Sequence, residues 1–312
     1  MRYHLVAFLV VAVWGSTFVF TKILLQAGMT PAQIFTFRFL IAYVLMLPCS
    51  WAMGERRWMT DNWRDELLMV ALGVTGGSLY FLTENAAMLY TTATNTSLIV
   101  CSCPLFAMLL VALVYRKSER ITRIKALGSI IACIGMAVVV LNGHFVLHLS
   151  PLGDALAFAA CLCWAFYSLL MKAAIERYSD LFITRKVFFY GLLTIIPYFI
   201  CKPEEAAIFN GQWTMINGQC SMDNVQWPII GSLLFLGIVA SLLCFLVWNW
   251  VIRKLGAVVA TNWVYFNPIT TIVFAAWLLR EPITPWFLLG TVLILLGMYL
   301  CDRRVGVRSQ GV

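Results

Sequence analysis

Two stretches decide how this chain reads: Trp14-Gly-Ser-Thr-Phe-Val-Phe-Thr-Lys22 and Trp164-Ala-Phe-Tyr-Ser-Leu-Leu-Met-Lys172. Each begins with Trp, ends with Lys eight positions later and lies inside an apolar run. The second follows the first by 150 residues. Further landmarks repeat in register. Gly73, Gly77, Tyr80 and Asn85 match Gly237, Ser241, Cys244 and Asn249 at an offset of 164, as do Ala93/Ala257 and Pro104/Pro268. Gly128/Gly290 and Gly135/Gly297 match at 162, with Glu119-Arg-Ile-Thr122 against Glu281-Pro-Ile-Thr284. The chain is therefore two copies of one unit, taken as residues 1–147 and 148–312.

Of the 312 residues, 62% are hydrophobic and 12% charged. A soluble domain is about 45–50% apolar and about 25% charged. Too little polar surface exists to cover a water-soluble particle, and the chain reads as an all-α integral membrane protein. The net charge of +8 does not point to nucleic acid, because the basic residues occupy short loops between apolar runs. The first run continues through Leu25 with no clear small-residue cleavage site before Lys22 and reads as an uncleaved span.

A helix rises about 1.5 Å per residue, so roughly 20 apolar residues cross the hydrocarbon. Ten candidate spans follow: 4–25, 34–51, 67–87, 91–115, 126–141, 152–173, 183–200, 229–252, 257–279 and 284–301. With the N-terminus inside, most of the 22 Lys and Arg residues fall in inner loops, leaving Lys202 and Arg280 outside and Lys22 and Arg38 within spans. That bias places both termini in the cytoplasm of a cell (inner) membrane. Five spans per copy force the second copy to enter from the opposite side. Inverted repeats of this kind place a solute site near the midplane between the halves.

These features resemble the drug/metabolite transporter superfamily, EamA-type: ten spans, a Trp-x7-Lys opening each half, a proline in the fourth and ninth spans, and Glu-x-x-Thr before each last span. The resemblance covers nearly the whole chain. It implies a ten-helix inverted-repeat bundle that exports amino acids or related metabolites by alternating access. One departure is Arg116-Lys117-Ser118 before Glu119, where the first copy is two residues longer than the second.

Several residues are candidates for the solute pathway. Trp14, Thr17, Phe18 and Thr21 share one helical face, as do Trp164, Tyr167, Ser168 and Met171. The alternative for both stripes is a helix interface with hydroxyls bonded across it. Tyr80 and Glu84 share a face with Gly73 and Gly77. A carboxylate within the hydrocarbon is expensive and faces a partner or water. Lys22 and Glu84 are expected at the outer end as an ion pair or gate, with Lys172 as the inner counterpart; the alternative leaves Glu84 solvated among headgroups. Because Glu84 is matched by Trp248, the two gates should differ in pH response. Arg38 either snorkels to the interface or pairs with Glu84 or a solute carboxylate. Asn95, Ser102, Asn262, Tyr265 and Asn267 lie in the two most polar spans, where Pro104 and Pro268 should kink the helices.

No cofactor is implied. Nucleotide-binding loop, metal cluster and nucleophile motifs are absent from the sequence, and the buried-type cysteines read as inert thiols. Cys201 and Cys220 could pair if the 201–228 loop faces an oxidising compartment. The implied partners are a small-molecule substrate, the lipid bilayer and protons as a candidate coupling ion, the last through Glu84. Other readings are a sugar or nucleotide-derivative transporter, which should carry more cavity cations, and a non-transporting scaffold. An intramembrane enzyme would need clustered acids or histidines in the spans.

Overall fold

The computed structural model describes residues 2–91, 96, 99–114, 122–141, 150–206, 227–270, 273–274 and 285–302. Among them every regular element is helical. In chain order these are α1 (Arg2–Gln26), α2 (Pro31–Ala52), α3 (Trp63–Tyr90), α4 (Cys103–Val114), α5 (Arg123–Leu141), α6 (Pro151–Ile175), α7 (Asp180–Cys201), α8 (Ile229–Leu255), α9 (Ala257–Asn262) and α10 (Pro285–Asp302). Six of them (α1, α2, α3, α6, α7 and α8) are long and apolar enough to cross a membrane. Many large apolar side chains point outward, such as Leu9, Leu127, Ile134, Leu288 and Val292. Such a surface suits hydrocarbon and would be an aggregation liability in water.

Local chemistry sets the turns. Thr30 caps α2 through a capping box: its hydroxyl accepts from Gln33 N at 3.3 Å, and its own N–H donates to Gln33 Oε1 at 3.0 Å. Pro31 follows at the first helical position, where no donor is needed. Gly28 (φ +91°) and Gly256 (φ +84°) adopt the left-handed conformation that closes the short α1–α2 and α8–α9 turns.

The repeat is written into the packing. A Cβ at Gly135 of α5 would stand 2.8 Å from Gly290 O, and one at Gly297 of α10 would stand 2.4 Å from Gly128 O. Gly128 therefore meets Gly297, and Gly135 meets Gly290, so these repeat-equivalent helices run antiparallel. A second reciprocal pair follows: Gly73 of α3 lies against Gly191 of α7, and Gly237 of α8 against Ile41 of α2. Ile41 and Gly191 are themselves equivalents at offset 150. Equivalent residues of the two copies thus pack against one another reciprocally.

Both copies also break their helices at matched places. α3 contains a π-type segment at Val74–Ser78, where Gly77 leaves helical geometry (φ −127°, ψ −106°), and α8 contains one at Phe235–Leu243. Segments of this kind release backbone groups and occur at functional sites. The proline expectation takes a sharper form. The chain turns at 101–102 and α4 starts at Cys103, so Pro104 sits in its first turn. α9 passes into a 3-10 segment, Trp263–Phe266, immediately before Asn267 and Pro268. Each proline opens the second half of a broken helix, where its missing N–H costs nothing.

One end of the bundle is polar. Asp65 pairs with Arg177 at 2.5 Å, Glu66 with Lys186 at 2.5 Å and Asp180 with Arg253 at 2.8 Å. These pairs join the α2–α3, α6–α7 and α8–α9 turns. Tyr178 donates to Asp65 at 2.7 Å, and burial holds its hydroxyl above the ordinary phenol range. Tyr3 packs on Trp250 at 5.2 Å, which puts the start of α1 at this end. Cys201 closes α7, while Cys220 lies outside the described residues.

Candidate functional site

The two opening tryptophans, one on α1 and one on α6, meet in the interior. Trp14 and Trp164 contact edge to face with centroids 5.4 Å apart. Trp14 donates its Nε1–H to Ala240 O at 3.0 Å, a carbonyl in the π-type segment of α8. Trp164 packs at a tilt against Tyr167 (5.1 Å) and Tyr80 (5.3 Å). Its own Nε1–H is buried without a partner.

Beside this pair lies a central cavity walled by the rings of Trp14, Phe18, Tyr80, Phe81, Trp164 and Phe245. Phe81 and Phe245 are repeat equivalents at offset 164. Thr17, Arg38, Glu84 and Asn267 supply its polar groups. Its volume is only about 40 Å³. That is room for roughly three waters, so side chains must part before a larger solute enters.

Arg38 is 2% exposed and does not snorkel. Its Nε donates to Ser241 Oγ at 2.9 Å, and its guanidinium lies 4.2 Å above the Phe81 ring. Ser241 belongs to the α8 π-type segment, so that break anchors both Trp14 and Arg38. The equivalent position in the second copy, Phe188, packs on Phe245 instead at 5.6 Å. Glu84 is 7% exposed and accepts from Tyr80 OH at 2.7 Å. It is a buried cavity carboxylate and not a solvated headgroup residue. Among the described residues no ion pair joins Arg38 to Glu84 or Lys22 to Glu84. Lys22 is exposed and Lys172 half-buried; neither lines the cavity.

The remaining candidates separate. Trp14, Thr17, Tyr80, Glu84, Trp164 and Asn267 line the cavity. Thr17 bonds back to Trp14 O at 2.6 Å. Tyr167 stands behind Trp164, fully buried, and donates to Asn249 Oδ1 at 2.8 Å; Asn249 in turn donates to Thr184 Oγ1 at 2.8 Å. Tyr167 therefore props the wall without forming it. Ser102 donates to Ile99 O at 2.6 Å, and Tyr265 is fully buried; neither reaches the cavity. Asn262 lines a different one. Asn95 lies outside the described residues. Phe81, Phe245 and Arg38 are the cavity residues that spacing alone undervalued, while Phe18 lies on the face it singled out. The Phe81/Phe245 match was visible in the repeat, but two apolar residues within apolar spans carry no signal of their own.

A multi-pass helical membrane protein with a polar-centred aromatic cavity between two repeats has the form of a small-molecule transporter. The comparisons agree. The EamA-like transporter family matches residues 1–141 and again 151–301, and the chain belongs to that family, within the drug/metabolite transporter superfamily. An "Uncharacterized transporter" of Archaeoglobus fulgidus is 27% identical, over 97% of this chain and all of that protein. A "Probable amino-acid metabolite efflux pump" of Escherichia coli is 26% identical over 94% of this chain and 92% of its own length. A "Probable terminal-alkyne amino-acid exporter" of Streptantibioticus cattleyicolor is 25% identical over 95% and 92%. A crystal structure superposes with a TM-score of 0.72 at 17% identity, covering 97% of this chain and 99% of that one. That likeness speaks for the fold alone. The chain is thus a membrane transporter with a small-molecule substrate.

Proposed function

We propose that this transporter is a secondary active exporter of amino acids or closely related zwitterions, working by alternating access around the central cavity. The observation that carries this reading is the pairing of Arg38 with Glu84 in one aromatic-walled cavity without an ion pair between them. A carboxylate fits the guanidinium and the unpartnered Trp164 Nε1–H. An ammonium fits Glu84. A side chain with a ring fits the six aromatic walls. The names of the relatives point the same way. Arg38 is the cavity's one Lys or Arg among the described residues, which suits a single carboxylate better than a sugar nucleotide's diphosphate.

The frame proposed around the site is ten spans in two inverted five-helix repeats, 1–147 and 148–312, with both termini cytoplasmic. The antiparallel α5/α10 pair and the shared polar end support it. Glu84 is the proposed proton-coupling residue. Lys22 and Lys172 mark the opposite mouths of the pathway, beyond the cavity itself. Counterflow in proteoliposomes with a metabolite panel, with and without a pH gradient, tests this. We expect exchange of ring-bearing amino acids, accelerated by the gradient; no solute exchange under any condition would sink the reading.

A further inference from the structure

Asn262 is 2% exposed, and neither its amide nitrogen nor its amide oxygen has a hydrogen-bond partner. Buried side-chain amides are almost always paired, so each exception calls for a ligand or water. Asn262 lines a second cavity, apart from the central one, between α1, α9 and α10. His4, Val259, Trp263, Met298 and Tyr299 contribute to its walls. Its volume is about 220 Å³. It is more than five times as roomy as the central cavity, at about 40 Å³.

Its position is informative. His4 opens α1, Val259 opens α9 and Tyr299 nears the end of α10, so the cavity lies at the polar end of the bundle. The 3-10 segment Trp263–Phe266 alone separates Asn262 from Asn267 in the central cavity. Five residues at about 2 Å each place the two amides roughly 10 Å apart along α9. Trp263 donates Nε1–H to His4 Nδ1 at 3.4 Å, and the two rings pack at 5.9 Å. The walls are otherwise largely rings and alkyl chains.

We propose that this cleft is a second ligand site. It takes an amphiphile with an apolar body and a head that both donates and accepts a hydrogen bond at the Asn262 amide. Two sources offer that chemistry. One is the transported solute, held before it passes the 3-10 segment into the central cavity; this version rests on the central cavity being the transport site. The other is a bilayer phospholipid whose head enters between α1 and α10.

The test uses the purified full-length protein in nanodiscs and detergent, with tritiated L-tryptophan as the solute probe and native mass spectrometry for retained phospholipid. Asn262→Leu removes the polar group. Asn262→Asp keeps the shape but exchanges a donor for an acceptor, so it serves where the leucine variant fails to fold. For a solute site, the wild type binds two tryptophans per chain, Asn262→Leu binds one, and Asn262→Asp weakens one site at least tenfold at unchanged Tm. For a lipid site, one phospholipid is retained by the wild type and lost from both variants. A single tryptophan that Arg38→Met abolishes and Asn262 variants leave alone, with no retained lipid, overturns the second site and spares the central one. No tryptophan binding and no retained lipid overturns both.

Discussion

Replacing Arg38 with Met should abolish transport and lower stability by about 1.5–3 kcal/mol, the scale for losing a buried hydrogen bond made by a charged group. Arg38 is buried, anchored to Ser241 and seated on Phe81. Its removal leaves the Ser241 hydroxyl without its donor and Glu84 as a buried charge facing none of opposite sign. Arg38→Lys should restore much of the stability and little of the transport. Lysine keeps the charge but lacks the planar fork that bonds a carboxylate while lying on a ring. Glu84→Gln keeps the shape and an acceptor for Tyr80, so the fold should survive. Transport should still fall roughly 10- to 100-fold, matching about 1.5–3 kcal/mol for a lost hydrogen bond to a charged group. The double variant Arg38→Met/Glu84→Leu separates structure from function. It should be more stable than Arg38→Met alone and equally inactive. Thermal unfolding in detergent and counterflow in liposomes read the two effects independently. Transport by the double variant would show that the two charges serve the fold alone.

Gly297→Val should be the most damaging substitution far from the cavity. A Cβ there would stand 2.4 Å from Gly128 O and 2.5 Å from Ala132 N. Both are backbone atoms of α5 and cannot step aside as a side-chain tip can. The helices must separate, at a cost of roughly 3 kcal/mol or more. Gly135→Val should act alike, because its Cβ would meet Ile294 N at 2.7 Å and Gly290 O at 2.8 Å. Gly231→Ala is the control: nothing lies within 4 Å of its new Cβ, so stability should hold or rise by about 0.5–1 kcal/mol. Recovery of monodisperse protein and Tm measure all three. Equal tolerance at Gly297 and Gly231 would contradict the close α5/α10 crossing.

Much of the fold was legible because it is written twice. The matched landmarks at offsets of 150, 162 and 164 predicted which residues play equivalent parts, and the packing pairs them reciprocally: Gly128 with Gly297, Gly73 with Gly191, Gly237 with Ile41. The prolines marked the breaks before α4 and after α9 but not their form, since a proline that opens a helix and one that kinks it leave the same trace in sequence. The π-type segments were not legible at all. Their composition is ordinary apolar helix, and the Gly76-Gly77 pair is the one local hint.

The site was half legible. Trp14, Tyr80, Glu84 and Trp164 share stripes that helical spacing reveals. Arg38 sat between two readings because a single charge in a span looks the same whether it snorkels outward or turns inward. What decides is Ser241, 203 residues away. Lys22 was drawn to Glu84 by topology, yet depth along the membrane says nothing of lateral position, and α1 turns that lysine outward. Tyr167 shares its helical face with Trp164, but the Asn249–Thr184 relay holds it behind the wall.

The most direct measurement compares three forms of one ring-bearing solute in counterflow: the zwitterionic amino acid, its decarboxylated amine and its deaminated acid. The wild type should carry the zwitterion at least tenfold faster than either analogue. Glu84→Gln should narrow the gap to the acid, and Arg38→Met should carry none of the three. Equal transport of amine and zwitterion by the wild type, or undiminished transport by Arg38→Met, would contradict a site built from Arg38 and Glu84.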